Sequence, residues 1–200
     1  MPITTIVFDF GDVILTNDSV RNYGEIYEHY RISREAVGKA WESAWPKLRI
    51  GETTEDEFWS ELLLEAKANM GDIGYAKEVY RRNQAPIGDM FGLLGKLKAG
   101  YRLAALTDIA KEWLEFKTRK YKLDYYFDPI ISSCGSGMHK PDPRIYKLLI
   151  SSLKTNPGEC VFIDNKEMNL VPARELGMAT ILFRGQPKLE EELRGLGINF

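Results

Sequence analysis

The fold is decided by residues 3–13, which read Ile-Thr-Thr-Ile-Val-Phe-Asp-Phe-Gly-Asp-Val. A short apolar run rich in β-branched residues predicts a strand that is buried on both faces of a sheet. The run ends at Asp9, and Gly11 favours a turn directly after it. The stretch therefore predicts a buried strand with a carboxylate at its carboxyl end.

Four more short apolar runs follow along the chain, at Arg102–Leu106, Pro129–Ser132, Cys160–Ile163 and Ala179–Phe183. Longer helical patterns separate them, such as residues 90–98, which end in Ala99-Gly100, and a segment that begins at Asp142-Pro143. The alternation of strands with helices predicts an α/β protein. We expect a Rossmann-like parallel sheet of about five strands with helices on both faces.

About ninety residues separate the first two runs, and they contain no convincing strand. A single crossover helix needs far fewer residues. Ser33 and the pair Thr53-Thr54 each precede an amphipathic pattern with acidic residues in its first turn, which predicts helix starts. We therefore expect an inserted all-helical cap at residues 16–85, and a Rossmann-like catalytic core formed by residues 1–15 and 86–200.

Composition narrows the class of substrate and the compartment. The 200 residues carry a net charge of -2, and the lysines and arginines are scattered, which gives no electrostatic footprint for nucleic acid or an anionic membrane. Neither a signal peptide nor an apolar run of bilayer length is seen, and the two cysteines have no disulfide spacing. These features predict a cytoplasmic protein that acts on a small soluble substrate and binds neither nucleic acid nor membrane. The sequence carries no decisive interface signal, and the expectation of a monomer or homodimer rests on the states that relatives adopt.

Polar residues follow the predicted strands, where the ligands of an open parallel sheet bind. They are Asp9, Gly11 and Asp12 after the first strand, Thr107 and Asp108 after the second, Lys140 after the third, and Asp164 and Asn165 after the fourth. Two carboxylates at buried strand ends invite a cation, and Mg²⁺ prefers oxygen ligands. Thr107 and Lys140 are suited to hold a phosphate group beside that cation.

Four segments, in this order, resemble the motifs of the haloacid dehalogenase-like hydrolase superfamily. They are Ile6 to Val13, Leu106-Thr107-Asp108, His139 to Pro143, and Phe162 to Asn165 with Asn169 beyond it. Residues 51–59 also resemble a helical-cap segment of the capped subfamily. The likeness covers nearly the whole chain, and it is closest to the branch that contains the α-D-glucose-1-phosphate phosphatase and the phosphatase domain of soluble epoxide hydrolase.

The resemblance implies a Mg²⁺-dependent phosphate-monoester hydrolase. It makes Asp9 the nucleophile that forms an aspartyl-phosphate, with Thr107 and Lys140 bound to the transferring phosphoryl group. Asp108 is a candidate substrate contact, although a helix N-cap is the favoured reading of its position. The magnesium ligands implied by the resemblance are Asp9, the backbone carbonyl of Gly11, Asp164 and Asn165.

Two departures from the family pattern affect the expected chemistry. Many of its phosphatases carry an aspartate two positions after the nucleophile, as a general acid–base worth about 100- to 10,000-fold in rate, and this chain has Gly11. Asp12 is the candidate replacement, with a solvated turn residue as the alternative, and a substrate with a good leaving group would need less help. Asn165 stands where a second aspartate is usual, which predicts weak magnesium binding.

Three functions remain open from the sequence. The leading one is a phosphatase for a small phosphorylated metabolite, with sugar phosphates among the candidates. The others are a regulatory or binding protein that kept the fold without turnover, and a 2-haloacid dehalogenase, which would need no metal. Arg21 and Arg49 of the cap are further candidates for holding a second anionic group, while His139 is expected to be a polar loop residue without a catalytic role.

Overall fold

The computed structural model describes residues 2–16, 24–68 and 72–200. Its sheet has five parallel strands in the order β3-β2-β1-β4-β5. The strands are β1 Thr5–Phe8, β2 Arg102–Thr107, β3 Ile130–Ser132, β4 Cys160–Asp164 and β5 Ala179–Leu182. All five predicted strands are confirmed, and so is the α/β class.

Eleven α-helices lie in the described residues. They are α1 Gly24–Tyr30, α2 Arg34–Arg49, α3 Glu55–Glu65, α4 Ile73–Arg82, α5 Met90–Lys98, α6 Lys111–Tyr121, α7 Leu123–Tyr126, α8 Ser133–Ser136, α9 Pro143–Leu153, α10 Glu167–Glu175 and α11 Gln186–Gly195. None of them is long and apolar enough to cross a lipid bilayer.

The predicted helix starts are confirmed by their caps. The Ser33 side chain accepts a hydrogen bond from the Ala36 amide at the start of α2, and Thr54 forms a capping box with Glu57 at the start of α3. Asp142 caps α9, whose first residue is a proline that needs no helical N–H partner. These local signals mark where α2, α3 and α9 begin.

Strand β1 lies at the centre of the sheet and is buried on both faces. Ile6 and Phe8 pack into one apolar cluster with side chains of α5 and α11, whereas Val7 packs on the other face with side chains of α9 and α10. This follows from the two-residue period of a strand. Because β2 and β4 both pair with β1, the residues at the ends of these three strands meet at one edge.

Helices α1 to α4 pack around an apolar cluster of their own, which Ile109, Ala110 and Trp113 join from the core. The chain leaves and re-enters the core side by side: the Thr16 amide donates to the Ala85 carbonyl at 2.8 Å, and the Ile87 amide donates to the Ile14 carbonyl at 3.0 Å. The exact division at residues 15/16 and 85/86 stays a prediction. Residues of α2 and of the polar strand ends line the same cavity, so the insert lies over those ends.

Candidate active site

A cavity of about 430 Å³ separates α2 from the carboxyl ends of the strands. The core lines it with Asp9, Gly11, Asp12, Asp108, Lys140, Asn165, Lys166 and Asn169, and α2 lines it with Trp41, Glu42, Trp45, Pro46 and Arg49. Six of the eight predicted site residues thus surround one cavity. The other two, Thr107 and Asp164, are buried at the ends of β2 and β4, outside the lining itself.

Lys140 joins the two carboxylates that the sequence analysis singled out. Its Nζ donates to Asp9 Oδ1 at 2.9 Å and to Asp164 Oδ2 at 2.7 Å. Burial alone would lower the pKa of Lys140, but the negative charges of Asp9, Asp164 and Asp108 outweigh it and raise that pKa above its usual value. Lys140 is therefore a permanent cation at neutral pH, and it holds Asp9 in a fixed orientation.

Asp9 follows β1 directly and is nearly buried. Burial raises the pKa of its carboxyl from 3.8 to about 6, against the opposing effect of Lys140. The hydrogen bonds from Lys140 Nζ and from the Phe10 amide, at 2.8 Å, both end on Oδ1. Among the described residues no hydrogen bond ends on Oδ2, which can therefore interact with a ligand in the cavity, and the carboxyl is ionised at pH 7.

The oxygens of Asp164 are already occupied by hydrogen bonds. Besides Lys140, they accept from the Lys166 amide at 2.8 Å and from Asn169 Nδ2 at 3.0 and 3.1 Å. Asn165 differs, because its Oδ1 is buried and has no hydrogen-bond partner among the described residues. A buried acceptor without a donor is unfavourable, so this atom marks a place for a cation or a water molecule.

The donor set fits a magnesium ion of the kind that keeps water and substrate oxygens among its ligands. It offers the carboxylates of Asp9 and Asp164, the amide oxygen of Asn165 and the backbone of Gly11, all of which are oxygen donors. No cluster of three histidine, cysteine or acidic side chains suited to a metal occurs in the described ranges.

Asp108 and Asp12 both line the cavity, and only Asp108 has surroundings that differ from those expected. Asp108 Oδ1 accepts the Lys140 amide at 3.0 Å, and α6 starts at Lys111 with Ala110 at its N-cap. The N-cap reading of Asp108 is therefore wrong, since the helix begins later and the side chain fixes the lysine loop instead. Asp12 lines the cavity with φ +57°, a left-handed conformation that aspartate tolerates.

Two site residues had no role in the sequence analysis. Asn169 holds both oxygens of Asp164, and its only signal was its place in the fourth motif. Lys117 is a lysine of α6 that is 2% exposed, and its charge interacts with those of Asp9 and Asp12. No sequence pattern distinguishes it from a surface lysine. Arg49, a candidate for holding a second anionic group, lines the cavity, whereas Arg21 lies outside the described residues.

Together, the fold and the site define a capped α/β hydrolase with a buried carboxylate and lysine at the centre of its sheet. The chain belongs to the haloacid dehalogenase-like hydrolase family, whose model matches residues 3–177. The family expected from the four motifs is thereby confirmed.

Similar proteins agree with this assignment. Bifunctional epoxide hydrolase 2 of Sus scrofa is 41% identical over 103 residues, which are 48% of this chain but only 18% of that protein. Flavin mononucleotide hydrolase 1 of Arabidopsis thaliana is 30% identical over 156 residues, 78% of this chain and 62% of the relative. A HAD family enzyme from Bacteroides thetaiotaomicron, solved as a magnesium complex, shares the fold with a TM-score of 0.82 at 21% identity, over 97% of this chain and 100% of that one.

Proposed function

We propose that this protein is a Mg²⁺-dependent phosphatase that hydrolyses a small phosphorylated metabolite through an aspartyl-phosphate on Asp9. The observation that carries the proposal is the buried Asp9–Lys140–Asp164 arrangement at the floor of the cavity, with Asp9 Oδ2 outside the hydrogen bonds that hold Oδ1. The name of the Arabidopsis relative, a flavin mononucleotide hydrolase, supports a phosphate ester as substrate.

Asp9 attacks the phosphorus through Oδ2, and the bond from phosphorus to the leaving oxygen breaks as the new bond forms. Lys140 and the Thr107 hydroxyl stabilise the charge on the phosphoryl oxygens, while Asp108 keeps the Lys140 backbone in place. Water then hydrolyses the acyl phosphate, which releases inorganic phosphate and restores Asp9. Such covalent catalysis divides one difficult displacement into two easier ones.

The residues that would hold magnesium are Asp9, the Gly11 carbonyl, Asn165 and Asp164. Because the Asp164 oxygens already accept three donors, Asp164 would contribute mainly negative charge. Asn165 Oδ1 is the side-chain oxygen of the fourth motif that has no donor in the described part of the chain. When bound, the ion supplies positive charge that neutralises the phosphate ester and orients it.

Protonation of the leaving oxygen is the step for which Gly11 provides no side chain. Asp12 lines the cavity one residue further on and is the acidic group that we assign to this step. An Asp12→Asn variant is expected to lose activity toward alkyl phosphates, but to keep most of it toward p-nitrophenyl phosphate, whose leaving group needs no proton. Unchanged turnover of both esters would remove Asp12 from the mechanism.

We further propose that the protein works in the cytoplasm, as a monomer or homodimer, on a soluble metabolite and without nucleic acid or membrane as partner. The free thiols of Cys134 and Cys160 and the scattered charges support a reducing compartment and a small substrate.

The test is hydrolysis of p-nitrophenyl phosphate and a panel of sugar phosphates, with magnesium and with EDTA. The expected result is magnesium-dependent turnover that Asp9→Asn lowers by at least about 1,000-fold. Asp124→Asn, which changes an exposed aspartate on α7, is the matched control and should leave the rate unchanged.

Hydroxylamine should trap the acyl phosphate in the wild type but not in Asp9→Asn. An acyl phosphate that forms and persists without turnover would identify a regulatory protein instead. Release of halide from a 2-haloacid without magnesium would identify a dehalogenase. Either outcome would overturn the phosphatase proposal.

A further inference from the structure

Arg49 is the cation that α2 contributes to the cavity, and the proposed chemistry leaves it without a role. It is the last residue of α2, one face of which lines the cavity at Trp41, Trp45 and Arg49, spaced four residues apart. In the described part of the chain, its guanidinium forms a hydrogen bond with His139 and no ion pair. Its Nε is buried and has no hydrogen-bond partner there.

His139 holds Arg49 without neutralising it. Arg49 Nη2 donates to His139 Nε2 at 3.1 Å, and His139 Nδ1 donates to the Lys140 carbonyl at 2.7 Å. Both bonds are satisfied by the neutral imidazole that carries its hydrogen on Nδ1. Arg49 therefore keeps its full positive charge. The residue that holds it, His139, directly precedes Lys140, the lysine that we place at the transferring phosphoryl group.

The backbone on both sides of this contact is fixed as well. Ser133 Oγ donates to the Arg49 carbonyl at 2.5 Å and accepts the Ile109 amide at 3.0 Å. Gly51 packs so closely on the core that an added Cβ would lie 2.9 Å from the Cys134 carbonyl oxygen. Arg49 is therefore a preorganised donor at the cavity wall and not a loose surface side chain.

The position of Arg49 determines which part of a substrate it meets. In an in-line displacement, the leaving oxygen departs on the side opposite the attacking atom. Asp9 attacks from the strand ends, so the alcohol part of the ester points toward α2. The cavity of about 430 Å³ has room for a small alcohol, whose apolar atoms would pack on Trp41 and Trp45.

We infer that Arg49, positioned by His139, binds a carboxylate on the alcohol part of the phosphate ester. The inference rests on the proposed phosphatase function and names its substrate class, the phosphate esters of small hydroxy acids. The planar edge of a guanidinium matches the two oxygens of a carboxylate, and the buried Nε gains the acceptor that it lacks in the described structure. Glu42, the acidic residue of the same wall, lies two helical turns away, so it does not compete for that edge.

The test compares two esters that differ in one group, 3-phosphoglycerate with a carboxylate and glycerol 3-phosphate with a hydroxymethyl group. Binding is measured by calorimetry with magnesium in the Asp9→Asn background, so that the readout does not depend on turnover. We expect the glycerate ester to bind at least about tenfold more tightly. Adding Arg49→Met should reduce that preference to within about twofold.

Lys47→Met is the matched control. It removes a lysine from the same helix whose Nζ pairs with Glu61 Oε1 at 2.9 Å outside the cavity, so the preference should persist. For the positioning role, His139→Leu should reduce the preference, and His139→Gln, which restores an acceptor, should recover it. Preference retained in His139→Leu would refute that role.

Equal binding of the two esters would overturn the inference. So would an Arg49→Met variant that weakens both esters by the same factor, because Arg49 would then contact the transferred phosphoryl group. Turnover of p-nitrophenyl phosphate by the wild type tests the phosphatase proposal separately. If the preference depends on Arg49 but the protein turns over no ester, the proposed carboxylate site is supported and the phosphatase proposal is refuted.

Discussion

The buried lysine Lys117 allows the free-energy cost of a buried charge in this structure to be measured. It lies in the middle of α6, is 2% exposed, and its Nζ is 6.0 Å from the centre of the Tyr80 ring. Burial lowers the pKa of its ammonium from 10.5 to about 8, although the charges of Asp9 and Asp12 act in the opposite direction. We therefore expect Lys117→Met to stabilise the protein at neutral pH.

The magnitude follows from linkage between protonation and folding. One pKa unit corresponds to about 1.4 kcal/mol, so a fall from 10.5 to about 8 corresponds to about 3 kcal/mol. Below pH 8 the folded and unfolded states are both protonated, and this penalty is fully present. Between pH 8 and 10.5 the unfolded state binds more protons, so stability rises with pH. At pH 9.5 roughly half of the penalty should remain.

The assay is urea unfolding of the wild type and of Lys117→Met at pH 7 and at pH 9.5. Methionine keeps a long, flexible apolar side chain, so the gain should be about 3 kcal/mol at pH 7 and should roughly halve at pH 9.5. Lys147→Met, at an exposed position of α9, should change stability by less than about 0.5 kcal/mol. A loss of stability, or a gain that does not depend on pH, would refute the reasoning.

Three further outcomes are expected. Gly51→Ala should destabilise the fold by about 2 kcal/mol in urea, because φ is +79° and the new Cβ would meet the Cys134 carbonyl oxygen at 2.9 Å, whereas Gly38→Ala inside α2, with nothing within 4 Å, should be neutral or stabilising. Magnesium affinity measured by calorimetry should fall as the pH drops below about 6, since protons compete for Asp9, whose pKa is about 6; equal affinity at pH 5 and 7 would contradict this. Glu55→Gln should lower the free energy of thermal unfolding by about 1.5 kcal/mol, since it removes the charged acceptor of Arg81, which stays 28% exposed to water; an unchanged free energy would count against it.

The sequence was enough to predict the core of the fold, because its signals are local. The β-branched runs are short and bounded by turns, and the capping residues Ser33, Thr54 and Asp142 act within a few positions of themselves. The sequence was also enough to predict that Asp9, Lys140 and Asp164 lie close together. Parallel strands place their carboxyl ends at one edge, so residues far apart in the chain converge there.

The contacts between the insert and the core could not be predicted from the sequence. Glu55 looks like an acidic first-turn residue of α3, yet it is 2% exposed and accepts hydrogen bonds from Trp59 and from Trp113 of the core helix α6. The pairing of Arg49 with His139 spans 90 positions and has no periodic signal. Such contacts depend on how the insert is oriented, and neither propensity nor spacing determines that orientation.

The departures from the family pattern at Gly11 and Asn165 have one effect in common. Neither residue carries the negative charge that an aspartate would bring to the cavity. Aspartates at both positions would add two carboxylates to a floor where a single lysine, Lys140, already faces the two carboxylates of Asp9 and Asp164. Their absence weakens the attraction for a free magnesium ion, but it also lowers the repulsion toward an incoming dianion. We therefore expect the proposed metal to bind best together with the substrate phosphate, whose oxygens would supply the missing negative charge. A carboxylate held by Arg49 would add a further anchor at the other wall, so metal, phosphate and acid group would reinforce one another in a cavity that holds each of them only weakly alone.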